Sequence, residues 1–187
     1  MHPNPAFRPD EAGLLDRAAG FAHLFVATPV GPLVAHAPLT RHGEELWLHL
    51  ARANRLFPHL AGATVLASVA GPDGYLTPNW FARADDQVPT WNYTAIEIEG
   101  MVRPLSRDDL LTQLDTLAER HEPNPNPWTR AKTDPAKIDA MLRAIGGFAI
   151  TVTGLRGTDK LAQHKSAADR AGMIAGLRAL ADAMERA

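Results

Sequence analysis

Three stretches of this chain concentrate residue types that recognise charge and planar rings. In the first, His49-Leu-Ala-Arg52-Ala-Asn54, an arginine follows a strand-like run and an asparagine opens what reads as a short helix. A guanidinium beside free helix N–H groups attracts phosphate, because charge and dipole act in the same direction. The competing reading makes Arg52 a surface ion-pair residue and Asn54 a plain cap. The second stretch joins residues 75–81 to residues 88–93. It holds Tyr75, Trp80, Trp91 and Tyr93, in a chain with four tryptophans and two tyrosines. Flat aromatic walls with amide donors beside them suit a planar heterocycle, although a barrel core or a subunit interface uses the same residues. In the third, Asp159-Lys-Leu-Ala-Gln-His-Lys165, Lys160 and Gln163 are placed to reach a phosphate or a ring edge; a solvated helix-entry loop is the plainer account.

Other chemistries find little support. The eight histidines form no H-E-x-x-H or H-x-H pair. His36 and His49 fall on different expected strands and could meet, with a hydrogen-bonded pocket histidine as the ordinary role for each. There is no nucleophile elbow, no G-x-G-x-x-G and no phosphate-binding P-loop motif. With no cysteine, disulfides, thiolate metal sites and cysteine nucleophiles are excluded.

The elements that must position these residues read as strands first and helices later. A short helix follows Asp10, with Leu14, Leu15 and Ala18 facing inward. Strands are expected at 21–27, 33–39 and 45–51, the last with Leu46, Leu48 and Leu50 alternating with Trp47 and His49. A turn is expected at Arg41–Gly43, a capped helix from Asn54 to Leu60 closed by Gly62, and two strands at 64–70 and 75–77. A longer strand runs from Trp91 to Val102, with Ile96, Ile98 and Met101 on one side. Ser106 and Asp109 open a helix carrying Leu110, Leu114 and Leu117. The segment 123–128, PNPNPW, is an extended connector, since proline fixes φ and removes donors. Asp134-Pro135 starts a helix through Ile145, residues 148–155 return to strand, and Ser166 with Asp169 caps a last helix. Six or seven strands joined by short turns, with about four helices, favour an antiparallel sheet or barrel over alternating βαβ units.

At 187 residues this is a chain for one domain over 1–187, with helical segments near 106–145 and 166–185. The formal charge of −2 creates no field favouring nucleic acid or an anionic membrane. The N-terminal residues lack the basic and apolar regions of a signal peptide, and no apolar run approaches the ~18 residues that span a bilayer. A cytoplasmic protein without a membrane role is the expectation.

Taken together, HLARAN at 49–54, GYLTPNWF at 74–81, VPTWNY at 88–93, ERHE at 119–122 and KLAQHKSAADRAG at 160–172 resemble the PaiB family of FMN-binding negative transcriptional regulators. The resemblance runs from Phe7 to Leu177. It implies an α+β fold: a mostly antiparallel split β-barrel like that of pyridoxamine phosphate oxidase-like flavoproteins, with peripheral helices. It also implies a homodimer with FMN in clefts at the subunit interface, and promoter DNA as a partner. His36, His49, Arg52, Asn54, Thr90, Trp91, Asn92, Lys160 and Gln163 are then the candidate FMN-binding residues. Along a strand after Pro89, Trp91 and Tyr93 point one way and Thr90 and Asn92 the other. Thr90 and Asn92 are expected to meet the flavin edge, with His36 on the neighbouring strand and the aromatics turned to an interface. The chain departs from the family where Ala162 and His164 replace a serine and an asparagine, and where Phe81 replaces a tyrosine. The alternatives are a flavin-dependent oxidoreductase acting on a small molecule and a flavin-free structural remnant.

Overall fold

The computed structural model describes residues 2–122 and 125–185. Pro123 and Asn124, the start of the proline-rich connector, lie outside them. Among the described residues there are seven strands: β1 (Phe21–Thr28), β2 (Gly31–Pro38), β3 (Thr40–His42), β4 (Glu45–Ala51), β5 (Thr64–Leu76), β6 (Thr90–Pro104) and β7 (Ile145–Lys160). The α-helices are α1 (Leu14–Ala18), α2 (Arg107–His121), α3 (Pro135–Ala144) and α4 (Ala167–Glu185). The strands form one antiparallel sheet in the order β2-β1-β5-β6-β7-β4-β3. By contacts the chain divides into two compact units, one from residues 10–69 and 96–156 and one from residues 1–9, 70–95 and 157–187.

The larger unit is organised by the two-residue period of its strands. On β1, Ala22, Leu24 and Val26 are buried while Phe21 and Phe25 are exposed; on β4, Leu46, Leu48 and Leu50 are buried. These residues join Ile96, Ile98, Val102 and Ile150 in the main core. Each buried aliphatic side chain contributes about 1.5–3 kcal/mol, so loss of alternation in a single strand is costly. β2 and β4, far apart in sheet order, are in contact, so the sheet curls on itself within this unit. Close approach of β6 to β7 requires Gly100: a Cβ there would lie 2.5 Å from Ile150 Cγ2 and 2.6 Å from the Thr151 carbonyl oxygen. α2 starts at Ser106, whose Oγ accepts the Asp109 N–H at 3.1 Å. α3 starts at Asp134, whose carboxylate accepts the Ala136 N–H at 2.8 Å, with Pro135 at the first helical position.

The smaller unit has its own core of Leu76, Phe81, Ala162 and Met173, with Trp80 against it. Gly172 and Gly176 on α4 face Trp80 so closely that neither position has room for a Cβ. Ser166 caps α4 through the Asp169 N–H at 3.1 Å, and the Asp169 carboxylate in turn accepts the Ala82 N–H at 3.0 Å.

Several local expectations are corrected. The segment from Asn54 to Leu60 is a turn followed by the three-residue 3-10 turn Phe57–His59. Pro58 cannot donate and would clash with the carbonyl four residues back, so an α-helix cannot propagate through it. The two strands expected at 64–70 and 75–77 are one, β5, which continues through Gly71-Pro72-Asp73-Gly74. Gly71 lies against Thr94 of β6, and cross-strand pairing overrides the local turn preference there. Arg41 and His42 lie in strand β3 rather than a turn; the reversal comes at Gly43, with φ +62. Met101 is exposed, and Val102 takes the inward place beyond Ile98, as strict strand parity demands. α3 ends at Ala144, one residue earlier than expected. No helix among the described residues is long and apolar enough to cross a membrane.

One carboxylate links three strands of the larger unit. Glu45 on β4 accepts from Arg103 of β6 at 3.0 and 2.5 Å, from Thr151 Oγ1 of β7 at 3.1 Å, and from the Trp47 indole at 3.0 Å. The Arg103 hydrogen bonds hold the Glu45 carboxyl far below its usual value of 4.5, at about 2. A depressed carboxyl pKa contributes stability above the unfolded value and loses it as pH falls through the folded one. The Glu45→Gln protein should therefore show a lower urea midpoint than the parent near neutral pH, and the gap should close between pH 4.5 and about 2. A gap that stays constant through that window would remove the ionised pair from the stability of the sheet.

Candidate functional site

In the larger unit, the segment leaving β4 supplies the first candidates. The Arg52 N–H donates to the Ala144 carbonyl at 2.9 Å, which ties the end of β4 to the end of α3. The guanidinium of Arg52 sits 5.2 Å from the centre of the Phe57 ring. Phe57 in turn packs where Gly146 has no side chain; a Cβ there would lie 2.6 Å from two of its ring carbons. Arg52, Phe57, Ser106, Arg107, Arg143 and the Gly146-Gly147 pair line a cavity of about 510 Å3. Arg107 is ion-paired with Asp139. Arg52 and Arg143 have no acidic partner among the described residues, so the cavity presents two uncompensated guanidinium groups to an anion. The helix start expected at Asn54 does not take part, since the 3-10 turn Phe57–His59 replaces that helix. Asn54 is occupied locally, its Oδ1 accepting the Leu56 N–H at 2.9 Å. Arg143 was missed by reading the sequence. The available signal was a basic residue in the last turn of a helix immediately before a Gly-Gly pair.

His49 belongs to a different cavity from Arg52. Its Nδ1 lies 2.8 Å from Oε1 of Gln113, a side chain of α2 with no solvent exposure. His36 lies on β2 directly opposite His23 of β1, the two rings meeting edge to face at 4.8 Å. The histidines thus have separate partners rather than each other. Nor is His36 on a strand adjacent to β6, because β1 and β5 intervene.

In the smaller unit, Thr90, Trp91 and Lys160 come together. Lys160 Nζ donates to Thr90 Oγ1 at 2.6 Å and to the Trp91 carbonyl at 2.9 Å. Both acceptors are neutral, so they orient the ammonium without cancelling its charge. The Trp91 indole donates to Asp73 at 2.9 Å and its ring meets Tyr75 edge-on at 6.2 Å, both on β5. Asn92 is half-buried on the same strand. Gln163 uses both ends of its amide inside its own loop: Oε1 accepts the Leu161 N–H at 2.9 Å and Nε2 donates to the Asp159 carbonyl. That loop carries Ala162 at φ +60, a left-handed conformation that a non-glycine residue holds only when its surroundings determine it. The positions that depart from the family pattern are used in packing: Ala162 and Phe81 are buried, and the His164 ring meets Phe7 at 5.4 Å.

Residues 1–154 match the family described as "Putative FMN-binding domain". Lys160 and Gln163 lie beyond the matched residues. The chain is 30% identical over 155 residues to the protease synthase and sporulation protein PAI 2 of Bacillus subtilis, covering 79% of this chain and 73% of that protein. Among solved structures it is similar to the FAD and heme binding protein from Mycobacterium smegmatis, with a TM-score of 0.58 at 21% identity over 84% of this chain and 73% of the other. It is also similar to a conserved hypothetical protein from Mycobacterium tuberculosis, with a TM-score of 0.60 at 16% identity over 86% and 91% of the two chains. At these identities the structural likenesses establish fold alone. The chain therefore belongs to the FMN-binding domain family of the Bacillus PaiB protein, with an α+β split β-barrel fold and FMN as its cofactor.

Proposed function

We propose that this protein is a cytoplasmic, FMN-binding homodimer that acts as a negative transcriptional regulator of the PaiB type. Kinship with the Bacillus protein over four fifths of the chain carries this reading. FMN contributes a planar redox-active ring and a dianionic phosphate. The arginine cavity of about 510 Å3 falls in the range of cofactor sites, roughly 300–1,000 Å3, and its two unpaired guanidinium groups fit a phosphate. Arg52 and Arg143 are the proposed phosphate contacts, with Phe57 packed against Arg52 to hold it in place. Lys160, oriented by Thr90 and the Trp91 carbonyl, is the rival cation, and substitution separates the two.

The dimer is supported by the outward face of β2, β1 and β5. There Val34, Phe25 and Leu66 form one cross-strand row, and His36, His23 and Ser68 the next. Phe21, Phe25, Val34 and Leu66 are all exposed, Phe21 by 62%. Monomers seldom leave a continuous apolar row of this kind in water. A net charge of −2 gives no overall basic field, so promoter contact would run through a local patch or a partner protein.

Purified protein titrated with FMN, then challenged with NADH and with its own promoter DNA, tests the regulator. Retention of the DNA by protein whose flavin is inert to NADH fits it. Rapid bleaching by NADH without DNA retention replaces it with a flavin-dependent oxidoreductase, and absence of FMN binding overturns both. Light scattering should report a dimer at micromolar concentration, with an interface above ~2,000 Å2 in total. The Phe25→Glu protein should be monomeric while keeping the far-ultraviolet spectrum of the parent; an unchanged dimer would place the interface elsewhere. Arg52→Ala and Arg143→Ala should each weaken FMN binding roughly tenfold or more, the loss of one charge-assisted phosphate contact. If Lys160→Ala does so and the two arginine variants bind like the parent, the phosphate belongs to Lys160.

A further inference from the structure

A second cavity, of about 650 Å3, lies among β4, α2, α3 and the connector that leads into α3. Its walls are apolar: Leu114, Ile138, Met141, Leu142, Ile145 and Trp128. Met141 is 58% exposed and Trp128 39%, large apolar surfaces turned to water in the described structure. The connector holds Trp128 in position. The Trp128 N–H donates to Glu122 at 3.0 Å, and Lys132 Nζ donates to Asn126 Oδ1 at 2.5 Å and to the Pro127 carbonyl at 2.7 Å. Arg130 forms a two-point pair with Asp115 of α2 at 2.6 and 2.5 Å. A wall held this way loses little entropy when a ligand binds.

Two polar groups are placed differently within this lining. His49 approaches from the sheet side, fixed from below by the fully buried Gln113. A carboxamide oxygen can only accept, so His49 Nδ1 donates in this bond, and in the neutral imidazole Nε2 is then the acceptor. Gln113 Nε2 is buried and has no hydrogen-bond partner among the described residues. An unpaired buried donor of this kind costs about 1–3 kcal/mol. Lys137, on the exposed side of α3, has no acidic partner among the described residues, and Arg130 is neutralised by Asp115. The lining therefore offers a fixed acceptor on the sheet, apolar and aromatic walls, and one uncompensated cation on the exposed helix.

We propose that this cavity binds a small aromatic acid bearing a hydrogen-bond donor on its ring: the ring against Trp128 and Met141, the donor to His49 Nε2, and the carboxylate to Lys137. The site is separate from the arginine cavity proposed for the FMN phosphate, and its occupant differs in charge distribution and in its need for a ring donor.

Three probes of similar size separate the contributions: 4-hydroxyphenylacetate, phenylacetate, which lacks the donor, and tyramine, which replaces the carboxylate with an ammonium. Calorimetry on the full-length protein, with and without saturating FMN, should show 4-hydroxyphenylacetate binding most tightly, and its binding should quench tryptophan fluorescence. Lys137→Gln should weaken it about threefold to tenfold and narrow its advantage over tyramine. His49→Phe should abolish its advantage over phenylacetate. Trp128→Phe should remove the fluorescence change while calorimetry still reports binding. FMN affinity should match the parent in the Lys137 and Trp128 variants. Equal binding of all three probes, or no saturable binding of any, overturns the proposal. So does loss of FMN affinity in those two variants, since the cavity would then belong to the flavin. Failure of FMN binding in every protein, parent included, while the probes still follow the expected order, would sink the flavin reading and leave this one standing.

Discussion

Across β2, β1 and β5 the antiparallel sheet buries only one of its two faces within the larger unit, and much of the structure follows from that. Because the side-chain period of a strand is two, Ala22, Leu24 and Val26 go inward together, and Phe21, His23 and Phe25 go outward together. β2 and β5 are paired in register with β1, so the outward set becomes continuous rows: Val34–Phe25–Leu66 and His36–His23–Ser68. The apolar outer surface is thus the necessary counterpart of the core, and it needs a cover that the chain does not supply within this unit. Small residues set how tightly the buried side closes. Ala35, Ala37 and Ala67 are buried on neighbouring strands, and Gly100 admits Ile150 where any side chain would collide.

The same parity places polar groups where chemistry is available. Along β4, Leu46, Leu48 and Leu50 point to the core, so Glu45, Trp47 and His49 must point away from it. Glu45 meets Arg103 and Thr151 and becomes a strand-to-strand tie, while His49 meets Gln113 of α2 and becomes part of a cavity wall. Two residues beyond His49 the strand ends, paired to the last with β7, Leu50 opposite Gly146 and Ala51 opposite Ile145. Arg52 is thereby brought beside the Gly146-Gly147 start of β7 and the last turn of α3. Both proposed phosphate contacts lie at the ends of regular elements whose backbones are hydrogen-bonded to one another. Their guanidinium groups are therefore held on a stiff frame rather than on a mobile loop.

Much of this was written in local sequence. The alternation in ELWLHLA specified β4 and its inward face. Ser106, Asp134 and Ser166 specified three helix starts, because a cap needs only a side-chain oxygen and an N–H two or three residues away. The family motifs at 49–54, 74–81 and 88–93 were legible for the same reason: their residues are neighbours in the chain. What the sequence could not decide depends on groups distant along it. The Gly-Pro-Asp-Gly run in β5 reads as a turn until β6 is beside it, since cross-strand hydrogen bonds outweigh local preference. Arg143 looks like any basic residue in a last helical turn until β4 brings Arg52 next to it. His36 and His49 look alike in sequence, and only the strand order gives one the neighbour His23 and the other the buried amide of Gln113. Local periodicity determined which side of each strand is apolar. Strand order and helix docking decided which polar residues meet, because those contacts come from tertiary packing across many residues of chain and leave no local pattern to read.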